Sequence, residues 1–235
     1  MVKCYIEATD KENAKTIHGD QKMKAKKILF YLLAVLLGGC VPSVHSLFTG
    51  KDLIFEGKLL GVWTEDNSKE TWEFKRYSNK EDKRYKLIYT DSDGRAGEFV
   101  AGLGKLNDMT FLDLYPSEAD VNANDFYKHH LLGVHTFMKI DQIEPTLQMR
   151  IMNPDKMKEM LEADPNLIRH EILEERDSQI LLTASTEELQ RFMIEHATDE
   201  GLFGEPSDMR RLEPKEPNVI DPNHTQPKIT GSNEG

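Results

Sequence analysis

Between residues 59 and 152 the chain alternates apolar and polar positions with a period of two. Trp72, Phe74 and Arg76 interleave with Glu73, Lys75 and Tyr77, and Tyr85, Leu87 and Tyr89 interleave with Lys86, Ile88 and Thr90. Such alternation predicts strands with one buried and one wetted face. Further strands are predicted over 59–63, 98–103, 110–115, 136–140 and 146–152. Asp93-Gly94, inside "TDSDGRAG", is a hairpin turn signal, because glycine accepts the positive φ such a turn needs. The series reads as an antiparallel meander curled into a barrel or half-barrel, a mainly β, β-rich α+β domain.

Two segments change period. Asn153-Pro154 supplies an N-cap and a first-turn proline, and Met157, Met160 and Leu161 then form a stripe that ends before Pro165. A last strand is predicted over 180–184. Ser185 and Glu188 have the spacing of a capping box, followed by Leu189, Phe192, Met193 and His196 at i, i+3, i+4 and i+7. Both are predicted helices laid against the sheet. Beyond Asp199 the pattern fades, and five of the ten prolines lie after residue 205. Residues 199–235 are therefore expected to form a disordered tail, with 206–235 the clearest part.

The N-terminal region has a different texture. Lys24, Lys26 and Lys27 precede ten uncharged residues, Ile28 to Leu37, and then Gly38-Gly39-Cys40. A membrane-crossing helix needs roughly 20 apolar residues, so this run is too short. A basic cluster, a short apolar core and small residues are the layout of an export signal. Leu37-Gly38-Gly39-Cys40 resembles the lipobox of bacterial lipoproteins. The resemblance implies cleavage before Cys40 and lipid modification, such as palmitate, on Cys40 as the first mature residue. It covers about 18 residues and leaves the body unassigned. It predicts a signal peptide over 1–39, either with translation starting at Met23 or with an unusually long polar n-region ahead of the lysines. A lipidated tether over 40–46 and a globular domain over 47–198 follow. Val41 stands where an aspartate would retain a lipoprotein at the inner membrane, so the resemblance implies an outer-membrane address in the cell envelope.

Charge narrows the partners. The formal net charge is −11, and residues 1–39 hold seven lysines against four acidic residues, so the body is more acidic than the whole. An acidic body lacks the clustered cations that bind phosphate backbones, so nucleic acid is not an expected partner. The two cysteines, Cys4 and Cys40, supply neither a disulfide framework nor metal-ligand spacing.

Gly61-Val62-Trp63 resembles the Gly-x-Trp signature of lipocalins, eight-stranded barrels that bind small apolar ligands. The resemblance implies a ligand-binding barrel, although a helix at 154–163 interrupts the strands where a plain lipocalin has none. No nucleophile elbow, phosphate loop or zinc-protease motif occurs. Gly102-Leu103-Gly104 falls within a predicted strand, not at a phosphate-binding turn.

The densest chemistry is His129, His130 and His135, near Glu118, Asp120 and Asp125. In one ideal strand His130 and His135 would face opposite sides, and His129 and His135 would stand about 20 Å apart. No metal, cofactor or catalytic residue is assigned. Two readings stay open. One is a non-catalytic, membrane-anchored lipoprotein that binds a small apolar ligand or an envelope protein. The other is a tethered hydrolase using histidine and carboxylates around 118–135.

Overall fold

The computed structural model describes residues 40–117, 124–128, 130–174 and 178–213. Twelve strands are described: β1 Pro42–Ser43, β2 Leu53–Ile54, β3 Gly61–Glu65, β4 Thr71–Arg76, β5 Tyr85–Thr90, β6 Ala96–Leu106, β7 Met109–Pro116, β8 His135–Gln142, β9 Leu147–Ile151, β10 His170–Leu173, β11 Gln179–Leu182 and β12 Ser207–Arg211. Three helices accompany them: α1 Asp125–Lys128, α2 Pro154–Ala163 and α3 Thr186–His196. A 3₁₀ turn spans Gly57–Leu59.

Strands β3 to β9 pair in sequence order, and β12 joins β9 to β3. The result is a closed, antiparallel, eight-stranded barrel, which leaves no exposed edges within the ring. The meander and the barrel are thus present as the alternation predicts.

The final staves differ from expectation. Residues 199–211 are not tail, because β12 pairs on both sides and Leu202, Phe203 and Met209 are buried. The cue is faint because "SDMRR" offers one apolar residue in five, and its two neighbours supply the rest of the ladder. Residues 214–235 lie outside the described residues. The segment expected as a tether is also built in. β1 pairs with β8 on one side and β11 on the other, and Val41, Pro42 and Ser43 are buried. The predicted strand at 180–184 is β11, paired with β10 in a hairpin outside the ring.

Two apolar cores result. Inward residues such as Trp63, Phe74, Tyr85, Leu87, Leu103 and Leu112 fill the barrel. Outward residues Phe111 and Phe137 begin a second core under α2, α3 and the β10-β11-β1 sheet, completed by Leu47, Phe48, Met157, Phe192 and others. Strand alternation divides them: Leu112 and Leu114 point in, Phe111 points out. Both helix caps form as the sequence predicts. Asn153 Oδ1 accepts from Asp155 N at 3.0 Å, and Ser185 and Glu188 make a reciprocal box.

Gly102 and Gly104 have a packing role. A Cβ on Gly104 would stand 2.5 Å from the Phe48 ring, and one on Gly102 3.0 Å from Leu53. The glycines of β6 let the segment before the barrel lie directly on its wall.

Candidate functional site

The barrel has two unlike ends. At one, residues 53–60 run across the opening. Tyr85 donates its hydroxyl to the Glu56 carbonyl at 3.0 Å, and Phe55 stacks on the Tyr85 ring at 5.0 Å. Trp63 Nε1 donates to the Leu59 carbonyl at 2.9 Å. From β12, the Arg211 guanidinium lies 4.3 Å from the Trp63 ring centroid and donates to the Leu60 carbonyl, to Lys58 O at 2.5 Å and to Glu144 at 3.0 Å. Gly61 makes this possible: its φ is +127°, and a Cβ there would meet Arg211 at 2.6 Å. The Gly-x-Trp motif is thus the seat of an arginine lid. A polar recess of about 280 Å³ remains beside it, lined by Glu56, Lys58, Asp141 and Glu144 among others.

At the opposite rim, the half-buried Trp72 and Tyr89 rings lie 5.1 Å apart. Burial and the neighbouring Glu70 carboxylate push the Tyr89 hydroxyl up to about 12. The β7–β8 connection leaves this rim carrying α1. Phe126 is 78% exposed and Leu132 71%, and Tyr127 and Leu131 are exposed beside them. The same segment holds two of the histidines singled out in the sequence. His129 lies outside the described residues, as do Glu118 and Asp120. His130 donates its Nδ1 proton to the Phe126 carbonyl at 2.8 Å and stacks edge-on against the Phe126 ring. Asp125 opens α1 and is exposed.

His135 does meet a carboxylate, but it is Asp113 on the adjacent strand. Its Nδ1 is 2.7 Å from Asp113 Oδ1, and the Tyr115 ring packs on the imidazole at 4.7 Å. The other Asp113 oxygen accepts from Leu47 N at 2.8 Å. Both carboxylate oxygens are therefore used in tying the segment before the barrel to β7 and β8. Chemically, this pairing orients the ring, as a general base requires. The hydroxyl nearest by register, Ser43, instead donates to the His45 carbonyl at 2.8 Å. The structure thus brings together His135, Asp113 and Tyr115, and among the described residues no carboxylate pairs with His130. A signal for Asp113 exists in "TFLDLY": an aspartate on the same face as Phe111 must find partners when that face is covered.

Cys40 is half-buried, and burial pushes its thiol above the ordinary value. Leu37, Gly38 and Gly39 lie outside the described residues. Among the described residues, no group of three or more histidine, cysteine or acidic side chains could hold a metal ion, and no helix is long and apolar enough to cross a membrane.

No protein family, no curated protein and no solved structure matches this chain.

Proposed function

We propose that this protein is an envelope lipoprotein, anchored through Cys40, whose barrel is a non-catalytic module that binds a protein partner at its rim. The observation that carries the partner reading is the contrast between a filled interior and an apolar rim. An eight-stranded barrel is just wide enough either to be filled by side chains or to hold one small ligand. Here Trp63, Phe74, Tyr85, Leu87 and Leu103 fill it, each 1% exposed or less. That packing favours a partner over a small apolar ligand. Exposed apolar patches on a protein surface mark interaction sites, and Phe126, Tyr127, Leu131 and Leu132 supply one.

The anchor reading rests on the lipobox resemblance. Hydrolysis of the Gly39–Cys40 bond would leave a carboxylate on Gly39 and an amine on Cys40. The outer-membrane address remains part of the proposal, on Val41.

The test is in-cell crosslinking from a photoreactive residue at Tyr127. The proposal expects a discrete protein adduct that disappears with Phe126→Ser/Leu132→Ser while the thermal midpoint stays unchanged. Uniform labelling without a discrete adduct, or an adduct indifferent to both substitutions, would overturn it.

A further inference from the structure

We infer that the barrel has no tether and is held flush against the bilayer by the flank that carries β1 and β11. This rests on the lipid anchor at Cys40 proposed above. One residue, Val41, separates Cys40 from β1, and Val41 is 2% exposed. From there the chain is pinned repeatedly. Pro42 and Ser43 pair with β8, Val44 N donates to Leu182 O at 2.9 Å, Thr186 Oγ1 donates to Ser46 O at 2.7 Å, and Leu47 N donates to Asp113. A free tether of six residues would reach about 20 Å when extended, whereas one residue reaches about 3.5 Å. The anchored residue therefore stays at the protein surface, and the surface around it stays at the membrane.

Strand direction fixes which surface that is. β8 starts at the rim with His135 and runs toward the lidded end. β1 runs antiparallel to it, with Ser43 opposite His135 and Pro42 opposite Thr136. Cys40 thus lies about 10 Å from the level of Ser43, toward the lidded end. β11 runs parallel to β1 with Leu182 beside Ser43, so the start of β11, and Leu173 paired with Gln179, come alongside Cys40. The rim, with α1, lies beyond Ser43 on the other side. The exposed α1 segment thus stands farther from the anchor than the start of β11 does.

The experiment uses the full lipidated chain in phosphatidylethanolamine/phosphatidylglycerol vesicles that contain a headgroup spin-labelled lipid. Two variants carry a fluorophore on a new cysteine: Glu174→Cys near the anchor and Lys128→Cys at the rim, both at exposed positions. A second pair adds a Gly/Ser linker of about twelve residues, with a root-mean-square reach of about 20 Å, between Cys40 and Val41. The Glu174 label should be quenched about twofold or more beyond the Lys128 label, and the linker should lower that excess about twofold or more. Equal quenching at the two sites, or quenching indifferent to the linker, would overturn the flush arrangement while leaving the anchor intact. Mass spectrometry of the same preparations reads the anchor separately: a mature chain without lipid on Cys40 would remove both.

Discussion

The barrel interior and the core outside it use the same residue types but are assembled from different distances along the chain. Apart from Met209 on β12, the interior is filled by neighbouring strands, each turning back on the last, so most of its partners are close in sequence. The outer core joins Leu47 and Phe48 to Phe192 and Phe203, across some 150 residues of chain. The two cores share walls, because β6, β7 and β8 give one face to each. Local alternation can build a barrel, but the outer core decides where its ends go: it draws the N-terminal segment onto β6 and β8 and returns β12 to close the ring.

The comparison breaks most severely at β12. Ending the chain at Gly204 removes Met209 from the interior, Arg211 from the lid and the ladder to both β3 and β9. The expected outcome is loss of the cooperative transition in urea and of near-ultraviolet circular dichroism. Ending it at Glu213 should leave both unchanged, because the composition of 214–235 offers too little apolar surface to offset ordering entropy.

That asymmetry also shows what was legible in the sequence. The strands from 59 to 152, the hairpin turn and both helix caps follow from local chemistry, and the structure has them. β12 and β1 do not, because each is short and depends on neighbours far away in the chain: Met209 faces Glu65, and Pro42 faces Thr136. The site divides likewise. His135 was visible as a residue, but its partner Asp113 lies 22 positions away, on an adjacent strand. Arg211, which seats on Trp63, gave no signal because its role depends on barrel closure.

Single truncations sharpen the comparison. Phe74→Ala in the interior and Phe192→Ala in the outer core should each cost about 3–5 kcal/mol. Because the cores share β6 to β8, each should shift one common transition when followed by fluorescence and by far-ultraviolet dichroism. Two separated transitions in either variant would show that the cores unfold independently.

Smaller effects test the joints between the regions. Asp113→Ala leaves Leu47 N and His135 without their acceptor, and should cost about 1–3 kcal/mol in urea denaturation. Gly104→Ala drives a methyl into the Phe48 ring and should cost about 1–3 kcal/mol by overpacking. Pairing with Phe48→Leu should recover part of that loss, since the smaller side chain vacates the ring position.

The smallest effect is at the head of α3. Backbone and side-chain hydrogen bonds from Ser185, with the Arg169 guanidinium, hold the Glu188 carboxyl below its ordinary 4.5. A carboxyl lowered by folding stabilises above its unfolded value, and that contribution is lost as pH falls through the folded value. Glu188→Gln should therefore lower the thermal midpoint at neutral pH and converge with the parent as pH falls below 4.5. A difference independent of pH would contradict this ionic role.

The central functional claim is that the chain is anchored at Cys40, one residue before its sheet begins. Intact mass of the N-terminal peptide from protein purified out of membranes tests it most directly. The account predicts a peptide that begins at Cys40 and carries acyl chains. A peptide that continues upstream of Cys40, or an unmodified Cys40 thiol, would contradict it.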